Sequence, residues 1–324
     1  MHPESLDSIK KAVAALANDQ LVAMPTETVY GLAARIDRPL AIEKVFKTKG
    51  RPSFDPLIVH VANLDQARAL ASSWPVTAEI LAKNFWPGPL TLVVPKHQSV
   101  SDLISSGLNT VGLRVPNHPV ALRLLTECQA PLAAPSANRF GRTSPTTADH
   151  VKSEFPDAIQ AGDVLVLDGG PCDVGVESTV VRCEPETVTV LRPGGITKSA
   201  IEAALRSANC EASVLVAAEN KKAASPGHTE HHYMPARPLT VFWGTAEDIR
   251  QHQSQLASSF QVISLSKDSR IAARELYSAL RSADLVEGKT ALILYRETQQ
   301  DELWHTIDDR LKRAATHRLG TPPA

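Results

Sequence analysis

The stretch EKVFKTKGRPSFDPLIVHV, residues 43–61, joins a cluster of basic side chains to an apolar run. Lys44, Lys47, Lys49 and Arg51 form the cluster, which we call the basic segment (residues 44–51). The apolar run PLIVHV that follows has the continuous pattern of a strand buried on both faces of a sheet. Such a strand predicts an α/β protein, and it would hold the end of the basic segment in a fixed position.

Other apolar runs of the same kind lie on both sides of this stretch. Strand candidates are LVAM, LTLVVP, VGLRVP, DVLVLDGG, STVVRC and TVTVLRP. Helical patterns lie between some of them: residues 5–18, which Ser5 would cap, TAEILAKNF, PVALRLLTEC, and TKSAIEAALRSAN, which Thr197 would cap. Strands that alternate with helices, together with paired strands near residues 176–192, predict a mixed twisted sheet with helices.

A change of composition divides the chain. Residues 218–238 are polar and contain three prolines and one glycine, which is typical of a linker. After them the pattern restarts, with strands at LTVFWG, FQVISLS and KTALILYR and helices at DSRIAARELYSALRSAD and TIDDRLKRAATH. We therefore predict a catalytic domain over residues 1–210, a linker over 211–238, and a smaller α/β domain with a mainly parallel, Rossmann-like sheet over 239–324.

Composition excludes several classes of protein. The 324 residues are 43% hydrophobic and 21% charged, which is ordinary for a soluble globular chain. A net charge of −1 provides no general attraction for nucleic acid or anionic membranes, so any anion site must be local. The four cysteines form no CxxC pair, and no apolar run approaches the ~18–20 residues of a membrane span. The N-terminus has no signal-peptide pattern, so we expect a cytoplasmic protein.

The common phosphate-binding and hydrolase motifs are absent from the sequence. It contains no GxxxxGK[ST], no GxGxxG after a strand and no GxSxG elbow. The glycine pairs at residues 169–170 and 194–195 are better explained as turns. A serine hydrolase is therefore disfavoured, and a nucleotide would have to be held by another arrangement.

Polar side chains instead cluster where predicted strands end. They are Thr26, Glu27, Thr28 and Tyr30; Lys49 and Arg51; Arg114; Ser136, Asn138, Arg142 and Ser144; Ser178 and Thr179; and Arg192. Each alone is weak, because an arginine on a strand is more often ion-paired or solvated and PSANRFGRTS could be an ordinary loop. Together they form a consistent set for binding phosphates and carboxylates, at the strand ends where α/β proteins place ligands.

The linker histidines have two interpretations. His228, His231 and His232 lie close to Glu230, and histidine is a common metal ligand. The flanking prolines exclude the helix that HExxH-type sites use. We expect a structured linker here rather than a metal site.

Four motifs in order resemble one family. MPTETVYGL, KGRPSFDPLIVHV, PSAN and GVESTVV are similar to motifs of the L-threonylcarbamoyladenylate synthases, in the long form with a YrdC-like catalytic domain and a small C-terminal domain. The YrdC-like resemblance covers roughly residues 8–208 and includes the family's KxR and SxN elements, as Lys49–Arg51 and Ser136–Asn138. SPGHTEHHYMP resembles the linker of the long form, and beyond it the match rests on the strand pattern and the ending DDRLKRAA.

The resemblance implies a nucleotidyltransferase reaction. L-threonine, bicarbonate or CO2, and ATP would give L-threonylcarbamoyl-AMP and pyrophosphate, with Mg2+ accompanying the ATP and no tightly bound organic cofactor. A partner complex would then transfer the threonylcarbamoyl group to the adenosine next to the anticodon of certain tRNAs. The implied contact with tRNA is weak or indirect, no membrane is involved, and we expect a monomer.

The resemblance also implies residue roles. Lys49 and Arg51 would be catalytic, and we expect Lys49→Ala and Arg51→Ala each to lose most of the activity while the protein remains folded. Threonine would be bound by Thr28, His60 and Ser178. ATP would be bound by Lys49, Arg51, Thr110, Ser136, Asn138, Ser144 and Arg192, and by Tyr233, which would make the linker a lid. Arg114 would either pair with an anionic group of a ligand or brace the sheet.

Two parts of the sequence depart from the family's pattern, position 55 and the middle of the linker. Asp55 stands where an asparagine is expected, and an acid there would repel phosphate unless it were paired or held magnesium. The linker has His228, Thr229, Glu230 and His231 where basic and aromatic residues are expected. Contacts between this part of the linker and phosphate are therefore in question.

Two other functions remain open from the sequence. YrdC-like domains also occur in O-carbamoyltransferases, which make a carbamoyl adenylate, but those chains carry a large second catalytic domain or zinc fingers. A non-catalytic RNA-binding protein is the second alternative, and the near-neutral charge argues against it. Pyrophosphate release that depends on carbamoyl phosphate, rather than on threonine with bicarbonate, would indicate an O-carbamoyltransferase. Tight RNA binding without threonine-dependent ATP turnover would indicate the RNA-binding protein.

Overall fold

The apolar runs of the first 217 residues are strands of one ten-stranded sheet. The structure is a computed structural model that describes residues 6–217, 232–297 and 301–321. The strands are β1 (Leu21–Met24), β2 (Gly31–Arg35), β3 (Ile58–His60), β4 (Leu90–Pro95), β5 (Thr110–Arg114), β6 (Leu132–Ala133), β7 (Val164–Val166), β8 (Thr179–Cys183), β9 (Thr187–Arg192) and β10 (Ser213–Val216).

The order across this sheet is β10-β9-β8-β4-β5-β3-β6-β2-β1-β7. Parallel pairs such as β3 with β5 and β4 with β8 adjoin antiparallel pairs such as β4 with β5 and β8 with β9. The predicted mixed α/β sheet is therefore confirmed. Helices cover it: α1 (Leu6–Ala17), α2 (Pro39–Lys49), α3 (Leu64–Ala69), α4 (Val76–Phe85), α5 (Asp102–Ser105), α6 (Pro119–Cys128), α7 (Ala148–Glu154), α8 (Pro156–Gln160) and α9 (Lys198–Ser207).

A second domain follows, which we define as the elements from β11 onward. Its strands are β11 (Leu239–Gly244), β12 (Phe260–Ile263), β13 (Ala291–Glu297) and β14 (His317–Gly320), and its helices are α10 (Ala246–Gln253), α11 (Ser269–Asp284) and α12 (Glu302–Ala314). The strands run parallel in the order β12-β13-β11-β14. The predicted small, mainly parallel sheet is confirmed. Among the described residues, no helix has the length and apolar character to cross a bilayer.

The basic segment is the last part of α2 and the turn that ends it. Gly50 adopts φ 62°, in the left-handed region that glycine tolerates, and the N–H of Arg51 donates to the carbonyl of Phe46 over 2.9 Å. Lys47 is exposed and Lys44 pairs with Asp163 over 3.0 Å, as expected for the solvated face of a helix. The turn carries the chain inward, so that Lys49 and Arg51 are both buried.

Some elements carry too little sequence signal to be predicted. GLAAR forms the interior strand β2, between β1 and β6, although its glycine and alanines lack the β-branched side chains that mark strands. The exposed strand β14 has the polar sequence HRLG. The predicted cap of α9 is confirmed, since the side chain of Thr197 accepts from the N–H of Ala200. The predicted cap Ser5 lies outside the described residues.

The two domains pack closely along α11 and α12. Gly175 adopts φ 76°, and a Cβ atom there would lie 2.4 Å from the Cα atom of Arg274 in α11. Only a residue without a side chain permits this approach of the GVESTVV loop to the second domain. The loop thereby lies between the large sheet and the second domain.

Candidate active site

One cavity lies where the strand ends of the large sheet meet the second domain. It holds about 50 Å³ of water-accessible space and is partly open to solvent. The large sheet and its loops contribute Thr26, Thr28, Arg51, Ile58, His60 and Arg114. Later loops contribute Ala134, Pro135, Ser136, Glu177, Ser178 and Arg192, and the segment before β11 contributes His232 and Tyr233. The fold therefore brings together most of the polar clusters that the sequence separates.

One side of the cavity, which we call side A, contains Thr28, His60, Arg114 and Ser178. Arg114 donates to the hydroxyl of Thr28 over 2.9 Å and forms an ion pair with Glu27 at 2.7 Å. Its Nε also donates to the carbonyl of Gly88. Arg114 thus orients Thr28 and also lines the cavity, and its two predicted roles, pairing with an anionic group of a ligand and bracing the sheet, stay predictions.

His60 is held neutral on side A. Burial, and secondarily the positive charge of Arg114, lower its pKa to about 3. Among the described residues, its Nδ1 has no hydrogen-bond partner, although the atom is buried. A buried polar atom without a partner is costly, so Nδ1 is suited to a hydrogen bond with a ligand.

Arg51 and Asp55 form a buried ion pair, which explains why both charged side chains are found at this place. Their charged groups are 3.0 Å apart, and both side chains are almost fully buried. The Arg51 guanidinium also donates to the carbonyls of Asp55 and Pro56. The departure at position 55 is therefore a paired acid, which orients Arg51 toward the cavity instead of leaving an unpaired charge near a ligand.

Lys49 faces the PSAN loop. Its ammonium group donates to the carbonyls of Ser136 and Asn138, and it does not line the cavity. Burial and the nearby Arg51 lower its pKa well below the usual value. Lys49 holds the loop that carries Ser136, and its predicted contact with phosphate stays a prediction.

Asn138 holds the same loop from within. Its amide donates over 2.8 Å to the carbonyls of Arg139 and Arg142, while its Oδ1 has no partner among the described residues. Thr110 is placed elsewhere: it begins β5 and lines a smaller neighbouring cavity that shares Ile58 with the main one. The structure does not bring Thr110 into the main cavity, and its nucleotide contact remains untested.

Glu177 is the principal site residue that the sequence analysis missed. It lies in the GVESTVV motif and accepts from the hydroxyls of Ser144, over 2.6 Å, and Tyr277, over 2.8 Å. It also forms an ion pair with Arg310 at 2.9 Å. Burial would raise its pKa, but the positive charges of Arg310 and Arg192 outweigh burial and set the pKa to about 2. The sequence offered one signal for it, since Glu177 is the acidic residue of the GVESTVV motif.

The other side of the cavity, side B, contains Glu177, Arg192 and Tyr233, and Ser144 lies behind it, fully buried and bonded to Glu177. Arg192 donates to the carbonyl of Ser178 over 3.0 Å and more weakly to its hydroxyl, so it also connects the two sides. Tyr233 is 1% exposed and has φ 67°, a left-handed conformation that is strained for a bulky residue. Its hydroxyl has no partner among the described residues.

His232 precedes Tyr233 and is also neutral. Burial lowers its pKa to about 3. The linker histidines His228 and His231, with Glu230, lie outside the described residues, as does most of the predicted lid. Across residues 6–217, 232–297 and 301–321, no group of three histidine, cysteine or acidic side chains could hold a metal ion.

Family models match almost the whole chain. A model described as "Telomere recombination" matches residues 14–194. A model described as "Threonylcarbamoyl-AMP synthase, C-terminal domain" matches residues 196–316. Both halves of the molecule, and the junction between them, therefore have a counterpart in known families.

Curated relatives and solved structures agree with these models. The chain is 39% identical to a threonylcarbamoyl-AMP synthase of Bacillus subtilis over 96% of this chain and 94% of that protein. It is 36% identical to one of Pyrococcus abyssi over 96% and 95%. The crystal structure of P. abyssi Sua5 complexed with L-threonine superposes with a TM-score of 0.87 at 34% identity, covering 97% of this chain and 96% of that one.

Proposed function

The chain belongs to the two-domain threonylcarbamoyl-AMP synthases, which are adenylyl-transferring enzymes, and from that premise we propose how its cavity works. We propose that it forms L-threonylcarbamoyl-AMP and pyrophosphate from L-threonine, bicarbonate or CO2, and ATP. The observation that carries the proposal is the composition of the cavity. Three buried arginines, Arg51, Arg114 and Arg192, line the cavity together with hydroxyl groups and a neutral histidine. Such a set of side chains suits the binding of several anionic reactants.

Threonine would occupy side A. Thr28, His60 and Ser178 line this side, and they offer two hydroxyls and one neutral imidazole for the amine and hydroxyl of the amino acid. Because Arg114 fixes the Thr28 hydroxyl, that contact would be preorganised. The P. abyssi structure, which contains L-threonine, supports a threonine site in this fold.

ATP would occupy side B and the end of the basic segment. Arg51 and Arg192 line the cavity as fixed cations, and Ser136 lies beside them on the loop held by Lys49. Ser144 and Asn138 complete the nucleotide contacts in this proposal. Tyr233 would cover the nucleotide from the second-domain side.

The chemistry follows from positioning. The threonine amine adds to CO2, or displaces water from bicarbonate, to give a carbamate. A carbamate oxygen then attacks the α-phosphorus of ATP, a new P–O bond forms, and the bond to the β-phosphate oxygen breaks to release pyrophosphate. Arg51 and Arg192 would stabilise the charge that develops on the phosphoryl oxygens, and no protein nucleophile is required.

Magnesium would arrive as part of the ATP substrate. Glu177 lines the cavity, and Glu27 and Asp55 contact arginines that line it. Each of these carboxylates is paired with an arginine: Glu27 with Arg114, Asp55 with Arg51 and Glu177 with Arg310. These acids therefore do not form a metal cradle of their own, and we assign no catalytic step to the ion.

The product would serve tRNA modification. We propose that the threonylcarbamoyl group passes to a separate transfer complex, which places it on the adenosine next to the anticodon, with weak or indirect tRNA contact by this chain. The predicted bound of the catalytic domain at residue 210 is too short, because β10 (Ser213–Val216) pairs with β9 in its sheet. We therefore propose a catalytic domain over residues 1–217, a linker that closes the site between it and residue 238, and a small domain over 239–324.

Pyrophosphate release from ATP tests the proposal. It should require L-threonine together with bicarbonate, and serine should support it less well, since it lacks the methyl group. No turnover with threonine and bicarbonate would refute the proposal. Turnover that depended on carbamoyl phosphate would indicate an O-carbamoyltransferase, and tight RNA binding without turnover would indicate a binding protein.

A further inference from the structure

We propose that the second domain supplies two positioning residues, Arg310 and Tyr277, which hold side B of the cavity in its binding geometry. This inference rests on the proposed function, because it assigns ATP to side B. Neither residue lines the cavity. Both act through residues that do, namely Glu177 and Tyr233. The second domain would then be part of the active-site wall rather than an independent module.

Glu177 of the first domain accepts hydrogen bonds from two side chains of the second domain. Its Oε2 accepts from the Tyr277 hydroxyl over 2.8 Å and from the Arg310 Nε over 2.9 Å, while its Oε1 accepts from Ser144 over 2.6 Å. Two donors come from the second domain and one from a residue proposed to contact ATP. Because Ser144 is fully buried and bonded to this carboxylate, the orientation of its hydroxyl depends on the position of Glu177.

Tyr233 is held by the same two residues. The rings of Tyr233 and Tyr277 stack at 5.6 Å with 26° between their planes, and the Arg310 guanidinium lies 5.3 Å from the Tyr233 ring centroid. A tyrosine at φ 67° is in a strained backbone conformation, so surrounding contacts must keep it there. Thr143 adds a hydrogen bond to the Tyr233 carbonyl from the first domain.

Arg310 also reaches the loop that follows Arg192. It is 0% exposed, and its Nη2 donates to the carbonyl of Pro193 over 2.8 Å. One buried cation therefore connects three elements of side B: the Glu177 loop, the Tyr233 segment and the turn after β9. A charge so deeply buried is stable only with its partners in place. Arg310 therefore restricts the positions of the three elements that it connects.

The threonine side is held differently. Thr28 is oriented by Thr26 and Arg114, both of the first domain. Ser178 is the exception, since it follows Glu177 in the chain and accepts from Arg192. A loss of Arg310 or Tyr277 should therefore weaken ATP binding more than threonine binding, which retains the contacts of Thr28 and His60. A general structural role would affect both ligands alike.

The charge of Glu177 provides a second readout. The groups that face it are Arg310 and Tyr277 of the second domain, Arg192 at the end of β9, Ser144, and the segment of His232 and Tyr233. Without Arg310, burial would raise the pKa of Glu177 from its present low value. The acid limb of the pH profile of kcat/KM for ATP should then move toward neutral pH.

The test measures ATP affinity by calorimetry and the KM values of ATP and threonine by pyrophosphate release. We expect Arg310→Gln to weaken ATP binding by about tenfold or more, since it leaves Glu177 unpaired, and to shift the acid limb. Arg310→Lys, which retains the charge, should recover part of both. Tyr277→Phe removes one hydroxyl and should weaken ATP binding by about threefold to tenfold. The KM of threonine should change by less than about twofold in each variant.

Ser278→Ala is the matched control. Ser278 is the neighbour of Tyr277 in α11 and also bonds across the domain junction, to the Thr146 hydroxyl over 2.9 Å, but it does not contact Glu177. We expect wild-type kinetics. If Arg310→Gln fails to fold, Tyr277→Phe decides the question, because a phenylalanine preserves the packing.

Two results would overturn the inference. One is wild-type ATP affinity with an unmoved acid limb in a folded Arg310→Gln or, if that variant does not fold, wild-type ATP affinity in Tyr277→Phe. The other is an equal loss of ATP and threonine binding. Failure of the proposed function is distinguishable, since it would appear as wild-type protein that releases no pyrophosphate, and the calorimetric comparison of ATP affinity would still decide the role of Arg310.

Discussion

Side A and side B of the cavity face the same space but are held by different parts of the chain. On side A, His60 ends β3 and Arg114 ends β5, and Arg114 donates to the hydroxyl of Thr28 in the loop between β1 and β2. On side B, Glu177 and Tyr233 lie on irregular segments whose partners include Tyr277 and Arg310 of the second domain.

The difference shows how rigidity is obtained in each case. The backbone hydrogen bonds of the sheet fix the position of a strand end. Local side-chain contacts are therefore enough to orient the residues of side A. A loop has no such support and must be fixed by contacts made across the domain junction. We therefore expect substitutions on side A to weaken mainly threonine binding and substitutions on side B to weaken mainly ATP binding.

The largest expected effect comes from Arg51, which lies within the first domain and points into the cavity. Arg51→Ala should abolish threonine-dependent pyrophosphate release. It should also lower the free energy of unfolding by about 3–5 kcal/mol, because Asp55 would remain buried without its partner. Chemical denaturation and the pyrophosphate assay measure the two losses.

The double variant Arg51→Ala/Asp55→Ala is the control for this experiment. It removes the unpaired carboxylate, so it should regain stability while remaining inactive. Full stability in Arg51→Ala alone would contradict the ion pair as a structural element, and it would return us to the expectation from sequence that Arg51 acts only on the ligand.

A smaller effect is expected at His60 on side A. His60→Ala should raise the KM of threonine by about tenfold, the worth of one or two hydrogen bonds, because the neutral imidazole is lost from the site. ATP affinity measured by calorimetry should remain within about twofold of wild type. An equal weakening of both ligands would mean that the two sides are not independent.

Acid lability is the smallest of the three effects. Burial lowers the pKa of both His60 and His232 to about 3, so the native state excludes a proton that the unfolded state binds below pH 6.5. The stabilising contribution of each histidine is present above pH 6.5 and is lost as the pH falls. Between pH 6.5 and about 5.5, each should remove about 1 kcal/mol from the free energy of unfolding.

Denaturation curves at these two pH values test this, with His60→Gln and His232→Gln as comparisons. Each variant should lose less stability on acidification than wild type does. The buried His118 and the half-buried His150 also have a lowered pKa, so the difference between variant and wild type is the informative quantity. An unchanged pH dependence in both variants would show that neither imidazole is excluded from protonation.

Sequence patterns predicted the framework of side A better than that of side B. The motif strands β3, β5 and β8 were expected from continuous apolar runs, and they carry or adjoin His60, Arg114 and Ser178. β2 was missed because GLAAR has no strand-forming side chains, and its burial comes from its neighbours in the sheet. Roles assigned to single residues by family resemblance remain predictions.

The sequence by itself determined the two α/β units, the motifs that identify the family, and the set of cationic and hydroxyl side chains near strand ends. Only the tertiary structure decided that Asp55 neutralises Arg51, that Arg114 orients Thr28, and that Glu177 accepts from two residues of the second domain. The reason is physical. Periodicity and local spacing reflect contacts between near neighbours, whereas Arg310 and Glu177 are 133 positions apart and meet only because both domains pack around the same loop.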